Sequence, residues 1–359
     1  MKLFSCQNCG HLVYFENSHC VRCGDRLGYL PEQSTLSAAE PNGANWAVLA
    51  DRSIQYRFCA NWELNACNWM VQADAGTPYC LACQHNRTIP DIAILGNAVL
   101  WQRLEEAKRR LFYSLIRLRL PMPTEASGDP EPLIFDFLAE TDRGAPKIMT
   151  GHDNGLITIS LMEADDAYRE RLRTQMHEPY RTLLGHFRHE VGHYYWDKLV
   201  DGGADLDGYR ALFGDERDDY DAALQRHYSQ GAPANWQEHF VSEYATSHPW
   251  EDWAETWAHY LHIVDTLEMA GAFGIVVKPQ ASEDTGLEAE VDFDPYRIPN
   301  FSRVIAAWLP LSYALNSLNR SMGQRDLYPF VLSPPVIAKL QYVHDLIKRQ
   351  ASPTDALPS

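Results

Sequence analysis

The chain has 359 residues, 45% hydrophobic and 22% charged, with a net charge of −17. That is enough chain for two or three modules with a sizeable core. The excess of carboxylates repels phosphate backbones and anionic lipid surfaces, so neither nucleic acid nor a membrane is expected as a partner.

The opening "MKLFSCQNCGHLVYF" carries no long apolar signal core, and all eight cysteines precede residue 84. Paired cysteines without an export signal predict a reducing, cytoplasmic compartment, with thiolates on metal rather than in disulfides. Cys6-Gln-Asn-Cys9 and Cys20-Val-Arg-Cys23 are two doublets separated by ten residues, enough for a short hairpin to bring them face to face. Four thiolates then surround one Zn²⁺ tetrahedrally, a closed structural site. Gly10 and Gly24 follow the doublets, where the turn asks for left-handed backbone. Residues 30–46, "LPEQSTLSAAEPNGANW", read as a linker or long loop. A second set, Cys59, Cys67, Cys80 and Cys83, is looser but closes on a regular doublet. It is read as a second four-cysteine zinc site, with a site using His85, or no second metal, as alternatives. Up to residue 90 there are six Lys/Arg against seven Asp/Glu, so no basic stripe is available to grip nucleic acid. The zinc-ribbon region, 1–90, is expected to be short strands and turns that stabilise the fold or contact a protein partner.

Helical spacing dominates 91–118, and 132–140 and 155–165 read as strands. The second of these is a candidate edge for pairing with an extended peptide. A helix is predicted from about Pro179 to Leu199, containing "RHEVGHYYWDKLV". His189 and His193, four apart, project from one side of it, within reach of one Zn²⁺ at about 2.0–2.1 Å per nitrogen. Glu190 does not ligate in such a motif; it takes a proton from water. Gly192 costs on the order of 1 kcal/mol relative to alanine inside a helix, which close approach of another backbone would explain. His186, three before His189, reads as a helix-surface residue.

Two imidazoles do not make a catalytic site; a third ligand and an open position are needed. An acidic segment, 214–240, reads as a helix plus loop over the site. The best source of the third ligand is "SEYATSHPWEDWAETWAHYLHIVDTLEMAG". Ser247 or His248 caps a helix there, Pro249 suits its first turn, and Gly271 ends it. Trp253, Trp257, Leu261, Val264 and Leu267 form a core stripe, and Glu251, Glu255, His259 and His262 a polar line. Glu255 is favoured over Glu251 as the ligand because Ala254 and Trp257 flank it deep in the helix. Asp252 is either a helix-start acid or a partner orienting a ligand histidine.

"HEVGHYYW" followed by "HPWEDWAETWAHYLH" resembles the gluzincin metallopeptidases, in which a glutamate on a separate downstream helix is the third zinc ligand. "WAET" is similar to the ligand segment of the lethal-factor-like branch. Nearly the whole chain, ribbons included, resembles a bacterial family of zinc-binding metallopeptidases with an N-terminal zinc ribbon. The resemblance implies ligands at His189, His193 and Glu255 and a base at Glu190. In the lethal-factor-like branch a tyrosine seven residues before the ligand glutamate stabilises the oxyanion. The position matching Glu255 is His248, so the role is open between His248 and Tyr244.

Beyond the site, "NFSRVIAAWLPLSYALNSL" is broken by Arg303 and Pro310 and reads as a buried helix, not a membrane span. Residues 333–350 read as a Pro-started helix and 351–359 as a disordered tail. "NRSMG", 319–323, is not a metzincin Met-turn, because the third histidine of that signature is missing. The expected class is α+β: zinc ribbons on 1–90, then a mainly helical zincin-like domain with a small sheet on 91–350. The expected function is zinc-dependent hydrolysis of a peptide or protein substrate, with about three zinc ions per chain, one catalytic and two structural. The rival reading is a non-catalytic, zinc-stabilised interaction module.

Overall fold

A computed structural model describes residues 2–140, 148–176, 178–201, 203, 205–281 and 285–350. The expected tail at 351–359 lies outside them. The class is α+β, and the chain divides into two compact units, one of residues up to 169 and one from 170 onward, with 118–120 belonging to the second.

The first unit starts with the hairpin β1 (Phe4–Ser5) and β2 (Leu12–Val13). Five antiparallel strands follow, paired in chain order: β3 (Arg26–Leu30), β4 (Thr35–Asn42), β5 (Asn45–Val48), β6 (Asp51–Phe58) and β7 (Met70–Gln72). Leu30, Ala39, Val48, Tyr56 and Met70 form their core, with Trp46, Ile54 and Phe58 packed against it. The segment expected to be a linker, 30–46, is therefore two strands and a hairpin. Leu36, Ser37 and Ala38 are fully buried, and Asn42 pairs with Asn45 across a two-residue turn in which Gly43 has φ +63°. The available signal was Gly43 followed by Ala44: glycine at the first of two central positions suits a tight hairpin better than a linker.

A parallel pair, β8 (Asn86–Thr88) and β9 (Ile134–Leu138), encloses the long helix α1 (Asn97–Leu118) in sequence. β10 (Gly151–Asp153) and β11 (Leu156–Ser160) complete a sheet in the order β10-β11-β9-β8. β11 is paired on both sides, so the expected edge strand for a peptide is an interior strand with no free backbone row. The first compact unit continues past residue 90, where the composition changes. β8 pairs with β9, and His85 Nδ1 is 2.7 Å from the Leu133 carbonyl. Arg109 of α1 donates to the Ala66 carbonyl. These bonds keep α1 and the later strands with the ribbons.

α2 (Asp166–Gln175) leads into the second unit. There α3 (Leu183–Leu199), α4 (Leu206–Phe213), α5 (Tyr220–Gln230) and α6 (Pro249–Phe273) follow in order. After the short hairpin β12 (Val276–Val277) and β13 (Ala289–Glu290) come α7 (Phe301–Ser321) and α8 (Pro334–Gln350). On α3, Phe187, Val191, Tyr194, Tyr195 and Leu199 are buried, and the stripe expected on α6 is buried at Trp253, Trp257, Leu261 and Val264. Tyr195 stacks on Trp257 with ring centroids 4.9 Å apart. α6 ends at Gly274, φ +64°, one turn beyond the expected Gly271. α7 carries the buried Pro310 inside it. No helix among the described residues is long and apolar enough to cross a membrane.

Candidate metal centres

Two of the three candidate centres are cysteine clusters. Gly10 and Gly24 have φ +69° and +80°, and their N–H groups donate to the Cys6 and Cys20 carbonyls at 2.8 Å. These turns aim the thiols inward. Cys6–Cys23 and Cys9–Cys20 sulfurs stand 3.7 and 3.6 Å apart, and Cys67–Cys80 3.6 Å. A tetrahedron with arms of about 2.3 Å has an edge of about 3.75 Å, so both clusters match a four-thiolate zinc shell. A disulfide bond, at about 2.05 Å, is excluded. The second cluster is Cys59, Cys67, Cys80 and Cys83; His85 stands apart from it, and burial lowers its pKa to about 4. Four thiolates and Zn²⁺ sum to −2. The buried Lys108 and Arg109 of α1 bring +2, and Glu105, paired with Lys108 and 3.9 Å from the Cys83 sulfur, takes back one of these charges when ionised. Accordingly, Cys80→Ser is expected to abolish metal at the second cluster and destabilise the first unit, lowering its urea midpoint. Zinc content should fall by one ion per chain; unchanged zinc content would contradict the assignment.

The third centre lies in the second unit, between α3 and α6. Thr182 caps α3 by accepting the Gly185 N–H at 3.0 Å. His189 and His193 then stand a turn apart with Nε2 atoms 3.2 Å from each other. Glu251 Oε2 is 3.0 Å from His189 Nε2 and 3.4 Å from His193 Nε2. The three distances fit the edge of about 3.3 Å expected for ligands on arms of about 2.05 Å. Among the described residues Glu251 Oε2 is buried and receives no well-formed hydrogen bond. A buried anionic oxygen facing two ring nitrogens asks for a cation. The donor set fits Zn²⁺.

Glu255 sits elsewhere than expected. Its Oε1 is 2.8 Å from His189 Nδ1, on the far side of the ring, and its Oε2 accepts from the Ser242 hydroxyl at 2.6 Å. A carboxylate on the second nitrogen fixes the tautomer that leaves Nε2 free to ligate. Burial opposes charge on all three groups. The Glu251 and Glu255 carboxylates nonetheless raise the His189 pKa well above the imidazole norm. Glu251 is held well below the carboxylate range, and Glu255 is lowered to about 2 by its bond to His189.

The other residues singled out by the sequence divide as follows. His248 is taken up by the backbone: Nδ1 accepts the Trp250 N–H at 3.1 Å, so the protonated Nε2 donates to the Asp218 carbonyl at 3.0 Å. Tyr244 is near His189, ring centroids 5.9 Å apart, and burial raises its hydroxyl pKa well above the ordinary value. Glu190 is buried on α3; the Tyr220 hydroxyl pKa, like that of Tyr244, is raised by burial first and then by the Glu251 carboxylate. Asp252 orients no histidine; it pairs with the buried Lys339 of α8 at 2.5 Å. His259 meets the Tyr328 hydroxyl at 2.7 Å, and Arg188 bonds His262 and Asp265. The sequence offered no signal for Tyr220, whose hydroxyl donates to Glu251 Oε1 at 2.5 Å.

Gly192 explains how the two helices come so close. A Cβ there would lie 3.1 Å from Ala254 Cα and 3.3 Å from Ala254 O, and Trp253 Nε1 donates to the Gly192 carbonyl at 2.8 Å. Gly192→Ala gains about 1 kcal/mol of helix propensity but overpacks a backbone-to-backbone contact, at a cost of about 1–3 kcal/mol. Net destabilisation is expected by denaturant titration; a more stable variant would show that the contact yields freely.

Two four-cysteine clusters and a helix pair that aims two histidines and a glutamate at one point define the class, a zinc-binding protein. The chain belongs to the family described as "Putative zinc-binding metallo-peptidase", whose model matches residues 97–346, and a zinc-ribbon domain model matches residues 3–94. It is similar to an uncharacterized protein of Mycobacterium bovis, 42% identical over 354 residues that cover 98% of this chain and 96% of that protein. Uncharacterized proteins from two strains of Mycobacterium tuberculosis match at the same 42% over 98% of this chain and 96% of theirs. No solved structure matches the chain significantly.

Proposed function

We propose that the chain is a zinc-dependent peptidase whose metal is held by His189, His193 and Glu251. The observation that supports this most is the set of three contacts between 3.0 and 3.4 Å joining those ligand atoms. Glu251 also fits the lethal-factor-like pattern better than Glu255, because Tyr244 stands seven residues before it. Zinc at this point supplies Lewis acidity, lowering the pKa of a water toward about 7 and polarising a peptide carbonyl.

The chain's own residues do the rest. Glu190 takes the proton of the attacking water and passes it to the leaving amine nitrogen. Tyr244, whose ring stands 5.9 Å from that of His189, donates its hydroxyl hydrogen to the carbonyl oxygen as charge develops. Glu255, bonded to His189 Nδ1, holds that ring in the ligating orientation. His248, with both nitrogens engaged, takes no part in the chemistry. The ribbons serve as structure or as a contact for a protein partner, and their free cysteines suit a reducing, cytoplasmic compartment. The test is exposure of a random peptide library to the zinc-loaded chain, with new termini read by mass spectrometry. Cleavage that disappears with a chelator is expected; an uncut library would remove the proposal.

A further inference from the structure

His248 was a candidate for the chemistry and is spent on the backbone; what it holds in place is Tyr220. Asp218, which accepts from His248 Nε2 at 3.0 Å, is two residues before Tyr220. Asp219 caps α5 by accepting the Ala222 N–H at 3.0 Å, so Tyr220 is the first residue of a helix fixed at its start. Its ring stands edge-on to His248, centroids 5.2 Å apart, and to Trp250, 6.0 Å apart. The Trp250 ring in turn lies 4.0 Å from that of His193. At the end of this chain of contacts the Tyr220 hydroxyl donates to Glu251 Oε1 at 2.5 Å.

We propose that Tyr220 is a positioning residue. By occupying Oε1 it turns Glu251 so that only Oε2 faces the two imidazoles, and His248 locks Tyr220 in that place. The inference rests on the reading of Glu251 as a metal ligand. A freely rotating carboxylate would exchange its two oxygens at the cation and lose orientational entropy on binding. A carboxylate already bonded through one oxygen does not. Tyr220 touches the ligand, not the substrate, so its role appears in metal affinity before it appears in turnover.

The experiment is zinc titration of the full chain, its ribbon sites filled, against a chromogenic chelator, for wild type, Tyr220→Phe and His248→Asn. Asparagine keeps a side-chain cap for α6 but is too short to reach Asp218 as well. Tyr220→Phe is expected to bind the third zinc about 10–100-fold more weakly, with kcat restored by excess zinc. His248→Asn is expected to weaken binding in the same direction, and the double variant to add little to Tyr220→Phe. Third-site affinity equal to wild type in Tyr220→Phe would overturn the positioning role alone, as would a loss of kcat that excess zinc does not restore. Uptake of only two zinc ions by the wild type would overturn the metal-centre reading together with it.

Discussion

Replacing Glu190 with glutamine is expected to leave zinc content unchanged and to lower kcat/KM by about 10²–10⁴-fold, the range general acid–base catalysis supplies. Glutamine has nearly the shape of glutamate and cannot accept a proton, so it separates chemistry from folding. Glu190 is buried on α3, adjacent to His189 in sequence, and is not among the three converging ligand atoms. A structural zinc site has no use for a carboxylate so placed. If the variant cleaves peptides as fast as the wild type, the general-base role is lost and the interaction-module reading gains.

The second large effect distinguishes two glutamates one turn apart on α6. On the proposed reading Glu251→Ala removes a direct ligand and leaves two imidazoles at the centre. Zinc affinity at the third centre should fall by more than the roughly 10–100-fold that outer-shell partners are worth, and activity should vanish with it. Glu255→Ala removes the partner of His189 Nδ1 and leaves the three converging atoms in place. Its cost should stay within that 10–100-fold range, and excess zinc should recover activity. Isothermal titration with Zn²⁺ reads both. Equal losses in the two variants, or the larger loss in Glu255→Ala, would reverse the assignment.

Much of this was legible in the residues. Each CxxC-Gly turn follows from what four thiolates and a left-handed backbone require, and Gly10 and Gly24 adopt it. Gly192, costly in a helix interior, pointed to a close backbone contact, and Ala254 provides it. The choice between Glu251 and Glu255 was not legible from flanking residues. Both lie on one face of α6, and the register of α6 against α3 decides which oxygen meets the imidazoles. That register is set by Gly192 against Ala254 and by Trp253 on the Gly192 carbonyl, contacts about 60 residues apart in sequence. Burial near Trp257 marked Glu255 as important without giving its role. The seven-residue spacing from Tyr244 to Glu251 was the sequence signal that pointed to the other acid. Tyr220 was illegible for the same reason: 31 residues separate it from the carboxylate it bonds. The strands at 30–46 were missed because Pro41 and Gly43 read as loop residues, while the pairing of β4 with β3 and β5 depends on long-range burial.

The most direct measurement is anomalous scattering at the zinc edge from crystals of the zinc-loaded chain. Three peaks per chain are predicted, two inside the cysteine clusters and the third about 2.0–2.2 Å from His189 Nε2, His193 Nε2 and a Glu251 oxygen. A third peak bonded to Glu255 with Glu251 turned away, or no peak between α3 and α6, would contradict the account.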